Sequence, residues 1–178
     1  RGRSLRLEAL EDRRMLTTFG DVTNLSTVNT PDLEWQPDIS SDGLTLYFRS
    51  DRDGDVGDFG RGDLYQTTRS TTSDPFGNVM NLGSGINTEF MEATPSISSD
   101  GLTIYFHSDR DGGKGGRDLY QATRSTLSDP FDNAVNLISI NTGGLDAHPS
   151  ISADGLTIYF QSDRHGGEGG TDLYQATR

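Results

Sequence analysis

The chain has 178 residues, of which 31% are hydrophobic and 22 are glycine, with no cysteine and a formal net charge of −12. One domain's length with many glycines and few apolar residues suits short strands and tight turns better than helices around a thick core. The acidic balance, carried against 14 arginines and one lysine, disfavours nucleic acid and anionic lipid, and no stretch reaches the roughly 18 apolar residues of a membrane span.

Residues 1–18, RGRSLRLEALEDRRMLTT, are rich in Arg, Leu and Glu and lack a continuous apolar run, so they read as a short charged helix or a disordered tail. From Phe19 the chain repeats itself. FGDVTNLSTVNT returns as FGNVMNLGSGINT from Phe76 and FDNAVNLISINT from Phe131. Likewise DGLTIYFHSDRDGGKGGRDLYQATR from Asp100 returns nearly unchanged from Asp154 and more loosely from Asp42. The prolines Pro37, Pro95 and Pro149 lie 58 and 54 residues apart, about the length of one four-stranded propeller blade.

Each unit predicts four strands. The first starts at the proline, the second is LTLYFRS, LTIYFHS or LTIYFQS from Leu44, Leu102 and Leu156, and the Asp-Gly between them predicts a two-residue hairpin with positive φ at both positions. The third, DLYQTTR or DLYQATR, starts at Asp63, Asp118 and Asp172 and follows a Gly-rich loop; the fourth is NVMNL or NAVNL after a Ser-Asp-Pro turn. In the second strand Ile104 and Phe106 face one way while Tyr105 and His107 face the other, which suits a sheet covered on both sides.

The expected fold is therefore all-β, a β-propeller-type array of three four-stranded antiparallel blades with cores at 37–82, 95–137 and 149–178, within a repeat region 19–178. The third unit has no fourth strand, while residues 19–25 form a fourth strand with no unit before it. Either that N-terminal strand closes the ring on the third blade, or the array is part of a larger ring completed by missing sequence or by a homodimer. A start at Arg1 and a stop at Arg178 read as a fragment or processed piece.

Residues identical in every copy point to architecture. Asp51–Arg52, Asp109–Arg110 and Asp163–Arg164, with Asp63, Asp118 and Asp172, read as contacts that tie each blade together. Asp51, Asp53 and Asp55 resemble the start of a calcium loop, but the glycine due next is Val56 and no closing glutamate follows, so a solvated turn is the reading. Arg61-Gly62-Asp63 is a coincidental adhesion tripeptide, and Ser40-Ser41-Asp42-Gly43 lacks the spacing of a sialidase Asp-box. No Gly-x-Ser-x-Gly elbow occurs, no acid stands apart from its copies to make a glycosidase pair, and His107, His148 and His165 occupy three different repeat positions. Catalytic residues, metal ligands and cofactors are accordingly not assigned.

What varies between copies is the stretch before each first strand: Glu34-Trp35-Gln36, Glu92-Ala93-Thr94 and Asp146-Ala147-His148. An acid kept in register with changing neighbours is the pattern of a partner-reading rim, so Glu34, Trp35, Gln36, Glu92, Thr94, Asp146 and His148 are the ligand-binding candidates, with Trp35 as aromatic anchor.

The segment PSISSDGLTIYFHSDRDGGKGGRDLYQATR resembles the WD40-like, TolB-type β-propeller repeat of bacterial envelope proteins, and the similarity covers residues 19–178. LEALEDRRML resembles the N-terminal LE-x-LE-x-R-x-L motif of exported planctomycete proteins. Together these resemblances imply a non-enzymatic binding or scaffolding module that is extracellular, on the cell surface or periplasmic, whose partner is a protein, peptide or glycan of the envelope. The alternative is the propeller portion of a larger carbohydrate-active enzyme or peptidase whose catalytic residues lie outside this chain.

Overall fold

The computed structural model describes residues 19–52 and 62–178. The N-terminal segment with its export-like motif lies outside the described residues, as do Asp53, Asp55 and Arg61 of the first Gly-rich loop.

Three antiparallel sheets follow one another along the chain. The first comprises β1 (Glu34–Ile39), β2 (Thr45–Ser50), β3 (Asp63–Thr68) and β4 (Gly77–Asn81), in that spatial order. The second repeats it with β5 (Glu92–Ile97), β6 (Thr103–Ser108), β7 (Asp118–Thr123) and β8 (Asp132–Asn136). The third has β9 (Asp146–Ile151), β10 (Thr157–Ser162) and β11 (Asp172–Thr177).

The sheets radiate from a common centre. First strands meet one another, β1 against β5 and β5 against β9, and each also packs across the preceding sheet, β5 on β2 and β3, β9 on β6 and β7. Strands β4 and β8 touch only their own sheets and so lie outermost. These are propeller blades, and among the described residues the third makes no contact with the first, so the array is open.

Why the sheets bury both faces is visible in β6, where Ile104, Tyr105, Phe106 and His107 are all buried. The largest apolar cluster lies between the first two blades and includes Tyr47, Leu64, Ile97, Ile104, Phe106 and Phe131. Phe131 heads β8 and meets Tyr47 of the first blade edge-on at 6.2 Å, under the guanidinium of Arg124, which also donates to the Tyr47 hydroxyl. Backbone and side-chain bonds add to this packing: Ile97 N–H donates to Asp38 and Ile151 N–H to Ser96.

Three details differ from the sequence expectation. The Asp-Gly turns are four-residue loops, not two-residue hairpins: Ser40 N–H closes the ladder onto Thr45, Gly43 N–H returns to Ser40, and of the pair only Gly43 has positive φ, at 73°. Asp42 is held instead by its carboxylate, which accepts from the Ser40 hydroxyl and Leu44 N–H. This is a type I turn followed by a left-handed glycine, the usual build of a longer hairpin loop.

Second, each first strand starts three residues before its proline. Glu34 and Trp35 pair with Ser50 and Arg49, and the register then slips before Asp38. The slip is a β-bulge that takes up Gln36 and Pro37, which lets the strand tolerate a proline without an N–H. Third, residues 19–25 form no strand. Phe19 and Val22 are fully exposed, and the chain joins the first blade only at buried Val28, after Thr27 donates to the Phe76 carbonyl. The reason is topological: the outer edge of the first blade already carries β4, and the free edge at β11 is nowhere near β1.

Candidate functional site

The site begins with the bulge in each first strand. Gln36, Thr94 and His148 occupy the same repeat position and have φ of 56°, 51° and 55°, a left-handed conformation that side chains other than glycine, asparagine and aspartate adopt rarely. Each is followed by proline, which bars the helical region to the residue before it. Three different side chains are thus held at one strained backbone position along the innermost strands.

They are also linked. Thr94 N–H donates to the Gln36 side-chain oxygen at 3.0 Å, the Thr94 hydroxyl lies 2.5 Å from His107 Nδ1, and the His107 and His148 rings stand 5.3 Å apart. One line of polar groups therefore crosses all three blades. His107 is almost completely buried, and burial, then the neighbouring His148, Arg117 and Arg49, push its pKa down to about 3. At neutral pH it is an uncharged imidazole. His148 is exposed, and its pKa is lowered by partial burial and by Arg117. The charge of Arg117 acts on both histidines and that of Arg49, itself paired with Asp51, on His107.

The acids of the rim pattern lie elsewhere. Glu34, Glu92 and Asp146 point into their own blades and pair with Arg52, Arg110 and Arg164 at 3.2, 2.9 and 2.6 Å. Glu92 also accepts from Thr88 and Ser108, and Arg110 reaches the Ile86 carbonyl while lying over the Phe106 and Tyr120 rings. The same set recurs in the other blades with Arg52 over Phe48 and Tyr65, and Arg164 over Phe160 and Tyr174. Burial raises the pKa of Glu92; it also opposes ionisation of Glu34 and Asp146, but there the hydrogen bonds and the arginine outweigh it and the pKa is lowered. These carboxylates fasten the blade.

Trp35 is 41% exposed with the Arg49 guanidinium 4.7 Å above its ring. Its counterparts Ala93 and Ala147 are buried against the preceding blade. The exposure of Trp35 thus follows from its place on the leading flank of the first blade. The Ser-Asp-Arg acids act locally: Asp51 pairs with Arg49, while Asp109 and Asp163 accept from Met91 and Leu145 N–H. Asp63 and Asp118 each accept from an asparagine of the fourth strand, Asn81 and Asn136.

Of the residues in the polar line, His107 is the one that the rim pattern does not include; it shares its repeat position with Arg49 and Gln161. The signal was present: they fill the one changing position in Tyr-Phe-x-Ser, directly across from Trp35, Ala93 and Ala147 in the ladder. His165 lies apart, in an exposed loop.

The architecture defines a class, an all-β protein of radiating propeller blades with a polar seam along the inner strands. Among solved structures, TolB from Acinetobacter baumannii matches with a TM-score of 0.60 and 20% identity over 85% of this chain and 31% of that one. A putative TolB from Agrobacterium tumefaciens aligns at 0.46 and 19% identity over 83% and 59%, and a thermostable family-43 glycoside hydrolase at 0.47 and 13% over 81% and 53%. The fold is TolB-like, and the chain spans about a third of the Acinetobacter protein. No protein-family model and no curated protein matches the sequence.

Proposed function

We propose that this chain is a non-enzymatic binding module of the bacterial envelope or exterior, and that its partner is a peptide or glycan carrying carboxylates that meets the inner seam at Gln36 and His148, on either side of buried Thr94. The observation that carries this reading is the shared left-handed φ of three chemically different residues. Such strain costs about 1–2 kcal/mol per residue, and glycine would relieve it. Retaining Gln, Thr and His there keeps side-chain chemistry at a rigid place, where little ordering is needed on binding.

Arg117, whose charge acts on His148, suits an anionic group there, and the repeated acids that might have served catalysis are occupied in ion pairs within the blades. A TolB-like fold is in keeping with an extracytoplasmic place of work. Soluble muropeptides combine glycan, peptide and free carboxylates, and isothermal titration with them is the test. Saturable heat that falls at least about tenfold in affinity in Gln36→Ala supports the reading, since one lost hydrogen bond to a charged group is worth about that much. Wild-type protein that gives no saturable heat overturns it.

A further inference from the structure

Two adjoining cavities, of about 130 and 260 Å³, lie between the first and second blades and share Gln66, Arg124 and Leu127 in their walls. Every residue of both walls belongs to these two blades. Side by side they reach the lower range of small-molecule sites, roughly 300–1,000 Å³. The smaller is polar, with Asp42, Thr45 and Thr68 from the first blade and Asp100 from the second. The larger is bounded by Met80, Leu82, Leu127 and Phe131.

Arg124 stands where the two meet. Its Nε donates to the Gly101 carbonyl and one Nη to the hydroxyl of buried Tyr47, and its guanidinium lies 4.3 Å from the centre of the Phe131 ring. All of these partners are neutral. Unlike Arg52, Arg110 and Arg164, it pairs with no carboxylate among the described residues. The Gln66 side-chain amide beside it makes no hydrogen bond to a described residue either. A half-buried guanidinium with neutral partners only is a fitting seat for a carboxylate.

The polar cavity also gathers two acids. The Ser41 hydroxyl donates to the Ser99 carbonyl at 2.7 Å, tying the Asp-Gly turns of the two blades together. Asp42 and Asp100, one from each turn, thereby reach the same cavity. Hydrogen bonds from Ser40 and Leu44, and from Ser98 and Leu102, hold both carboxyls below the ordinary carboxylate range, so both are ionised at neutral pH. Those bonds fall on Oδ1 of each, which leaves Oδ2 to a ligand cation.

We propose that this cleft between the blades binds a free α-amino acid with an apolar side chain. Its carboxylate pairs with Arg124 and takes the Gln66 amide, its ammonium sits at Asp42 and Asp100, and its side chain enters the larger cavity against Met80, Leu82 and Phe131. Opposite charges held apart in one cavity match a zwitterion: a bare carboxylic acid would face two unanswered acids, and a bare amine an unanswered arginine. The proposal is independent of what the inner seam binds, since none of Gln36, Thr94 and His148 lines either cavity.

Nuclear magnetic resonance titration of racemic leucine into the 178-residue chain tests it, with the Gln66 side-chain amide signals as local readout. The comparison probes are 3-methylbutan-1-amine, which is leucine without its carboxylate, and 4-methylpentanoic acid, which is leucine without its amine. Expected are saturable shifts of the Gln66 signals with leucine and binding about tenfold weaker or worse for each comparison probe. Asp42→Asn/Asp100→Asn keeps an acceptor oxygen in both turns and should weaken leucine by about the same factor, with the circular dichroism spectrum unchanged. Leucine that causes no saturable shift, or shifts that spare Gln66, overturn the proposal. So does a comparison probe that binds as tightly as leucine, or undiminished leucine affinity in the double variant.

Discussion

The arginine of each Ser-Asp-Arg is the most heavily used side chain of its blade. Arg110 bonds Ser108, the Ile86 carbonyl and buried Glu92, and lies over two aromatic rings. Removing it strands a buried carboxylate, so Arg110→Ala should lose about 3–5 kcal/mol in urea unfolding. Arg164→Ala should lose less, because the Arg164 side chain is 25% exposed against 15% for Arg110.

His107 gives a second prediction at the same scale. Its pKa is depressed from 6.5 to about 3 in the folded chain, chiefly by burial, so between those values the unfolded state binds the proton and the folded state does not. Stability carried by this group is complete above pH 6.5 and drains away as pH falls towards 3, by at most about 1.4 kcal/mol per pH unit. In His107→Gln the unfolding free energy should therefore decline less steeply from pH 7 to pH 4 than in the wild type; parallel declines would show that the imidazole does not titrate against folding.

At the scale of elements, the bulge and the turn explain what could be read in advance. The eleven strands of the described residues follow the repeat, although each first strand starts three residues before its proline, because alternation of apolar residues and shared letters report local pairing. The turn class is not legible in the Asp-Gly pair: it says where a hairpin closes, whereas the four-residue loop is held by the Ser40–Asp42 hydrogen bond across the turn. Residues 19–25 carry strand-forming letters yet have no edge to join within the chain, and sequence periodicity does not tell which edge is free. The pairing of the rim acids Glu34, Glu92 and Asp146 with arginine is hidden for a similar reason, since a constant acid looks alike whether it faces a partner or Arg110. If the left-handed bulge is kept for its side chains, His148→Gly should leave stability unchanged or higher by up to about 1 kcal/mol, the relieved strain being partly offset by glycine's greater freedom when unfolded, whereas Gln36→Gly also takes the acceptor from the Thr94 N–H and should cost about 1 kcal/mol or more.

On the scale of the whole molecule, the constant letters hold the blades together and the changing letters line the inner seam. Gly85 illustrates how close the blades come: a Cβ there would meet the Phe131 carbonyl oxygen at 2.5 Å. A scaffold this tightly packed fixes Gln36, Thr94 and His148 relative to one another, which is what the proposed binding at the inner seam requires. The most direct check is calorimetric titration of muropeptides into the Gln36→Gly/His148→Gly protein. The prediction is a chain that still folds, by circular dichroism, and no longer binds; undiminished affinity in that chain would contradict the assignment of function to the positions where the repeats differ.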